Sequence, residues 1–149
     1  YDIIGRDGLT LSDKWANGWR TLHGLQANGF PNCFFLGFTQ TALTVNVPQA
    51  LNVQAKHATY ILDQARRQGA TRIEATREAE EAWLAEMQDK AKIAERFYAE
   101  CTPGYYNNEG KLGNPNGLFA GTYGAGPIKF FSILDEWRST GRLEGVELT

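Results

Sequence analysis

The chain has 149 residues, 42% of them hydrophobic, 21% charged and 12% aromatic, a composition that excludes disorder and calls for a buried core. A formal net charge of -2 without any Lys/Arg cluster excludes a surface that tracks nucleic acid. No run of about 18 or more apolar residues is present, so no membrane span is expected and the protein is read as soluble and cytoplasmic.

The first segment, 1–24, carries turn signals at Gly5, Asp7-Gly8 and Asn17-Gly18, which predict a hairpin followed by a short helical turn around Ser12 to Ala16. A start on Tyr1-Asp2-Ile3-Ile4, without an initiator Met, is what a piece of a longer polypeptide would show. Next, Cys33-Phe34-Phe35-Leu36 is a continuous apolar run between Pro31-Asn32 and Gly37, the pattern of a short strand buried on both faces. Cys33 and Cys101 are too few and too far apart for a disulfide framework and are expected to be reduced structural cysteines. Apolar or small residues at Val47, Leu51, Ala55, Ala58, Leu62 and Ala65 predict a helix over 47–68 with one apolar face. Asn46 is placed to cap it, Pro48 fits its first turn, and Gly69 stops it.

Arg72-Ile73-Glu74-Ala75 reads either as a short strand or as a linker. A second long helix starts after Thr76, whose hydroxyl can cap it, with Glu78, Glu80 and Glu81 complementing the positive end of the helix dipole. The Glu80-Glu81 pair is expected on a solvated face. Trp83, Met87, Ala91, Ala94, Phe97 and Tyr98 carry the helix towards Cys101. The Gly/Asn/Pro-dense stretch 101–126 is a long loop. Pro127 opens a last helix with Phe130, Ile133, Leu134 and Trp137 along one stripe, Gly141 ends it, and Leu143 to Leu148 return as an edge strand. Together these elements predict a mixed α/β fold in which helices pack on a small sheet.

Most catalytic signatures are absent. There is no G-x-S-x-G, neither Cys has a His near it in sequence, and His23 and His57 are isolated, so no metal site is expected and both are read as surface or supporting histidines. Gly124 and Gly126 begin a G-x-G-x-x-G pattern that fails at Lys129. What remains is the junction between Gly37 and Asn46-Val47-Pro48, where unpaired N–H groups and the helix dipole favour negative charge. An ordinary strand-loop-helix crossover has the same features, and spacing does not separate the two.

The phrases GRDGLTLSDKW, NGWRTLHGL, NGFPNCFFLG, CTPGYYNNEG and the closing W-R-x-x-G-x-x-E-G occur in order from Gly5 to Gly145. This series resembles the C-terminal part of flavin-dependent Baeyer-Villiger monooxygenases, enzymes that bind FAD and NADPH in two dinucleotide-binding domains and use O2 to oxidise ketones to esters or lactones. The resemblance implies a C-terminal fragment. Residues 1–70 would end the FAD-binding domain with a flavin-facing strand and helix, and 71–149 would add the C-terminal helices and a mobile loop, 101–126. It also implies that Gly37, Asn46, Val47 and Gln49 face the flavin and that Thr41, Ala42 and Leu43 line the ketone pocket. Tyr105, Tyr106 and Asn107 would contact NADPH, since Thr102-Pro103 stands where many relatives carry a Trp for the nicotinamide. No catalytic residue of its own is assigned to the fragment, which should be inactive alone. It should self-associate through the Cys33–Leu36 stretch and the Val47–Ala65 face. Two rival readings stand beside this one: a non-catalytic binding or assembly module, and a fragment of an N-hydroxylating flavin monooxygenase.

Overall fold

The computed structural model describes residues 2–104, 109–110 and 121–149, and for 92–99 the backbone alone. After a 3-10 turn at Arg6–Gly8 the elements are α1 (Leu11–Lys14), α2 (Val47–Arg67), β1 (Ile73–Ala75), α3 (Arg77–Glu100), α4 (Pro127–Thr140) and β2 (Val146–Leu148). β1 and β2 pair antiparallel with Glu74 opposite Glu147, forming a two-stranded sheet. The fold is thus the expected mixture of helices with a small sheet, and the return of the chain after Gly141 is the expected edge strand.

Local chemistry sets the helix ends where the sequence placed them. Asn46 Oδ1 accepts the Gln49 N–H at 3.1 Å, and Pro48 occupies the first turn, where a missing N–H leaves no bond unmade. Thr76 Oγ1 accepts the Ala79 N–H at 3.1 Å and opens α3. Pro127 opens α4, and Gly141 closes it in the left-handed conformation. The hairpin of the first segment reduces to one antiparallel bridge, Ile4 to Thr10, after which Thr10 caps α1.

Two apolar clusters hold these elements. One gathers Leu22, Ala42, Ala75, Trp83, Met87, Tyr123, Phe130 and Leu134, and the other Leu25, Ala58, Ile61, Ala65, Ile73 and Leu143. The irregular segment 21–30 contributes to both and is buried at every position but Asn28, which is half-buried. Buried irregular backbone must find partners outside a ladder. Here two carboxylates supply them: Glu80 Oε1 accepts the Asn28 N–H at 2.9 Å and Glu74 Oε1 the Gly29 N–H at 2.7 Å.

That arrangement corrects the reading of Glu80. It is buried, 3% exposed, and its other oxygen accepts Lys14 Nζ at 2.8 Å. Glu81, one residue on, stays exposed and pairs with Arg77. Glu74 is equally buried between Arg6 and Arg72. Burial opposes its charge, but the Arg72 bond, the Gly29 N–H and the two guanidinium groups outweigh that and hold the carboxyl below its usual range.

Two further expectations fail. Residues 33–36 form no strand: the Phe35 N–H donates to Leu25 O at 2.7 Å, yet no described strand lies alongside, and Leu36 is 57% exposed. Apolar content does not make a strand without a neighbour to pair with. The buried face of α2 is Ala50, Gln54, His57, Ala58, Ile61 and Ala65, whereas Leu51 and Leu62, both assigned to the core by periodicity, face outward. Hydropathy misplaced the stripe because two of its buried members, Gln54 and His57, are polar residues with hydrogen-bond partners.

Candidate functional site

The stretch from Gly37 to Asn46 is irregular, and hydrogen bonds to Gln54, Thr21, Trp19 and Tyr123 fix it. Gln54, 3% exposed on α2, grips Gly37 from both sides: Gly37 N–H donates to Oε1 and Nε2 donates to Gly37 O, each at 2.8 Å. Thr41 Oγ1 donates to the same carbonyl at 3.0 Å. Gln40 accepts from Thr21 Oγ1 at 2.6 Å and donates to Trp19 O at 2.8 Å, and the Tyr123 N–H donates to Thr41 O at 2.9 Å. Behind the loop, Gly24 is required for close approach: a Cβ there would lie 2.3 Å from Thr41 Cγ2 and 2.4 Å from Thr39 O.

Gly37 itself has φ 149°, which favours glycine, and the space that its Cβ would take is open. At the far end of the loop Val45 and Asn46 are exposed and Val47 is half-buried. The Gln49 N–H is consumed by the Asn46 cap and the Ala50 N–H by Asn46 O at 3.2 Å, while Pro48 has none. Among the described residues the Val47 N–H has no acceptor, so it is the donor that α2 presents outward. The first turn of α2 carries no acidic residue, which leaves the positive end of its dipole uncompensated by a carboxylate of its own.

The predicted site residues therefore divide. Gly37 and Thr41 touch, and Asn46 caps Gln49 with Val47 between them as the first residue of α2. Thr41 and Ala42 are each 1% exposed and packed inward, so of the three residues assigned to a substrate pocket Leu43 alone is half-buried. Tyr105, Tyr106 and Asn107 lie outside the described residues. Sequence reasoning missed Gln54; an amide two turns into the helix, one turn before His57 on the same face, was the available signal. The described residues contain no His/Cys/Asp/Glu group fit to hold a metal and no helix long and apolar enough to cross a membrane.

Contrary to the surface position that their isolation in the sequence suggests, His23 and His57 are a buried pair, 8% and 1% exposed, with His23 Nδ1 3.2 Å from His57 Nε2. Arg138 Nη1 lies 3.1 Å from His57 Nδ1. A guanidinium only donates, so Nδ1 of His57 is unprotonated, its Nε2–H donates to His23 Nδ1, and the proton of His23 sits on Nε2. Burial first, then the Arg138 charge, pushes His23 down to about 4. His57 is pushed to about 2 by burial, then by His23 and Arg138.

No protein-family model matches the chain. Pentalenolactone D synthase of Streptomyces exfoliatus is 46% identical over 150 residues, which take in 99% of this chain and 25% of that protein. A Baeyer-Villiger monooxygenase of Streptomyces coelicolor is 47% identical over 137 residues, 91% of this chain and 22% of that protein. Among solved structures, a polycyclic ketone monooxygenase from the fungus Thermothelomyces thermophila superposes with a TM-score of 0.87 at 34% identity, over 99% of this chain and 24% of that one. A steroid monooxygenase bound to NADP superposes with a TM-score of 0.75 at 25% identity. The chain spans about a quarter of the length of the curated relatives it matches. In sequence and in fold, it corresponds to the C-terminal part of a flavin-dependent Baeyer-Villiger monooxygenase.

Proposed function

We propose that this chain serves an FAD- and NADPH-dependent enzyme that uses O2 to oxidise ketones to esters or lactones, and that it is inactive alone. The observation that carries the reading is 46% identity to pentalenolactone D synthase across 99% of the chain. In this reading residues 1–70 close the FAD-binding domain and 71–149 complete the enzyme, in a cytoplasmic setting. Gly37, Asn46, Val47 and Gln49 serve the flavin, Thr41, Ala42 and Leu43 the ketone pocket, and Tyr105, Tyr106 and Asn107 NADPH.

The residues present suit a flavin that gains negative charge on reduction. The outward Val47 N–H, the dipole of α2 and a first turn without carboxylates together favour an anion, while the Gln54 clamp keeps the approach at Gly37 rigid. FAD, when bound, supplies the redox chemistry; this chain supplies a pre-aimed donor and part of the wall around it.

Val47→Asp in the full-length enzyme tests the assignment. An acidic residue suits the first turn of a helix, so folding and FAD content should hold. A charge of the wrong sign beside the reduced flavin should slow ketone turnover by about tenfold, roughly 1.4 kcal/mol. Unchanged turnover with a full complement of FAD would show that this helix end does not face the flavin.

The same reading has the isolated chain associating with itself. Leu51 and Leu62, three turns apart on one line of α2, are 39% and 48% exposed, and Leu36 and Val45 are 57% and 106% exposed. Light scattering on the chain should show mass rising with concentration, and Leu51→Glu with Leu62→Glu should suppress the rise. A constant monomer mass at every concentration would contradict it.

A further inference from the structure

Arg138, His57 and His23 form a chain of hydrogen bonds whose direction is set at one end and whose other end reaches a cavity. With His57 oriented by Arg138, the Nδ1 of His23 is occupied and its proton is on Nε2. No described side-chain nitrogen or oxygen is both buried and without a partner, so Nε2, which makes no bond of its own, reaches open space. That space is a shallow cavity of about 270 Å³ between α3, α4 and the turn before β2, with His23 in its wall beside Leu22, Ala82, Trp83, Trp137 and Glu144.

The walls are flat and apolar. The His23 ring stands at 86° to Trp83 and 85° to Trp137, with centroids 5.1 and 5.7 Å away. Both indole N–H groups are engaged elsewhere, Trp83 with Gln40 O at 3.4 Å and Trp137 with Glu144 O at 2.9 Å, so His23 Nε2–H is the side-chain donor left to face the cavity. The site carries little net charge: Asp135 pairs with Arg138 behind the relay, and Glu144, paired with Arg142, stands at the rim. With the rim carboxylate already neutralised by Arg142, the cavity offers no net positive charge to an anion, and a neutral donor does not attract one.

We propose that this cavity binds a small neutral molecule that presents a carbonyl oxygen to His23 Nε2–H and lays a flat apolar body against Trp83 and Trp137. Its volume lies just below the usual range of ligand pockets, so the ligand is of fragment size, about one ring plus its carbonyl group. The relay positions the donor: Arg138 dictates the tautomer of His57, and His57 that of His23. No residue of the Gly37–Val47 stretch lines this cavity, although Trp83 in its wall bonds Gln40 O, and the proposal does not rest on the flavin reading.

The test uses N-methylacetanilide, a neutral amide that presents a carbonyl oxygen and no N–H, against tert-butylbenzene, which lacks the acceptor. Both are titrated into the full-length protein labelled with 15N-histidine, following the His23 Nε2 resonance and Trp emission. The amide should bind saturably, shift His23 Nε2 and bind about tenfold tighter than the hydrocarbon, the factor that one hydrogen bond supplies. His23→Phe should abolish the preference between the two probes while leaving hydrocarbon binding in place, an effect that general loosening of the fold would not produce. Should that variant fail to fold, Ala82→Phe, at the mouth and away from the relay, should weaken both probes together. Equal binding of the two probes to the unsubstituted protein, no saturation up to the solubility limit, or a His57 proton found on Nδ1 would each overturn the proposal.

Discussion

Replacing Glu80 with alanine is expected to destabilise the fold by about 3 kcal/mol, the lower end of what removing one partner of a buried ion pair costs. The Glu80 side chain is 4% exposed and that of Lys14 11%, so the ammonium left behind has little water to turn to. The Asn28 N–H, in a segment buried on both sides, loses its acceptor at the same time. Lys14 lies in the short α1, which can swing outward, and for that reason the upper end of the range is not expected. Glu80→Gln keeps an oxygen for the Asn28 N–H and should lose about half as much. Glu81→Ala, which breaks an exposed pair, should change stability by less than about 0.5 kcal/mol. Thermal unfolding distinguishes them, since about 3 kcal/mol moves the midpoint of a chain of this size by roughly 6–12 °C. Equal midpoints for the Glu80 and Glu81 variants would mean that the Lys14–Glu80–Asn28 contact does not hold segment 21–30.

Acid should destabilise the chain well before its carboxylates titrate. In the folded state His23 is held down to about 4 and His57 to about 2, against about 6.5 for an exposed imidazole. As pH falls through about 6.5 the unfolded chain takes up protons that the folded chain refuses. Stability is therefore fully present above that value. Below it each histidine costs about 1.4 kcal/mol per pH unit until its folded value is reached, first at His23. The groups facing the pair reinforce the sign: Arg138 on α4 repels a second cation, Trp83 and Trp137 pack against the rings, and the nearby carboxylates Asp135 and Glu144 are engaged by Arg138 and Arg142. Glu74 acts only in a lower window, since its carboxyl is held below the usual range. Denaturant midpoints taken at pH 7.5, 6 and 5 should fall steeply across the lower interval, and His57→Gln, though less stable at pH 7.5, should show a shallower fall. A midpoint independent of pH from 7.5 to 5 would show that the histidines are not buried and neutral.

What the sequence determined by itself is the chemistry of chain ends and short range. Asn46 with Pro48, Thr76, and Pro127 with Gly141 mark helix boundaries because caps, fixed φ and left-handed turns act within four residues. The order of characteristic phrases was likewise legible, and the match across 99% of the chain bears it out. Tertiary structure decided which polar residues lie inside. Glu80 and His57 read as solvated because charge and polarity are solvated by default, and the residues that bury them, Lys14 with Asn28 and His23 with Arg138, come from distant parts of the chain. The run Cys33–Leu36 has the apolar character of a core strand, yet a strand is a relation between two segments, and the described chain places none beside it. The outward turn of Leu51 and Leu62 has the same origin: α2 is oriented by the bonds of Gln54 and His57, and a buried polar group with its partners in place outweighs the pull of a leucine that can remain at the surface.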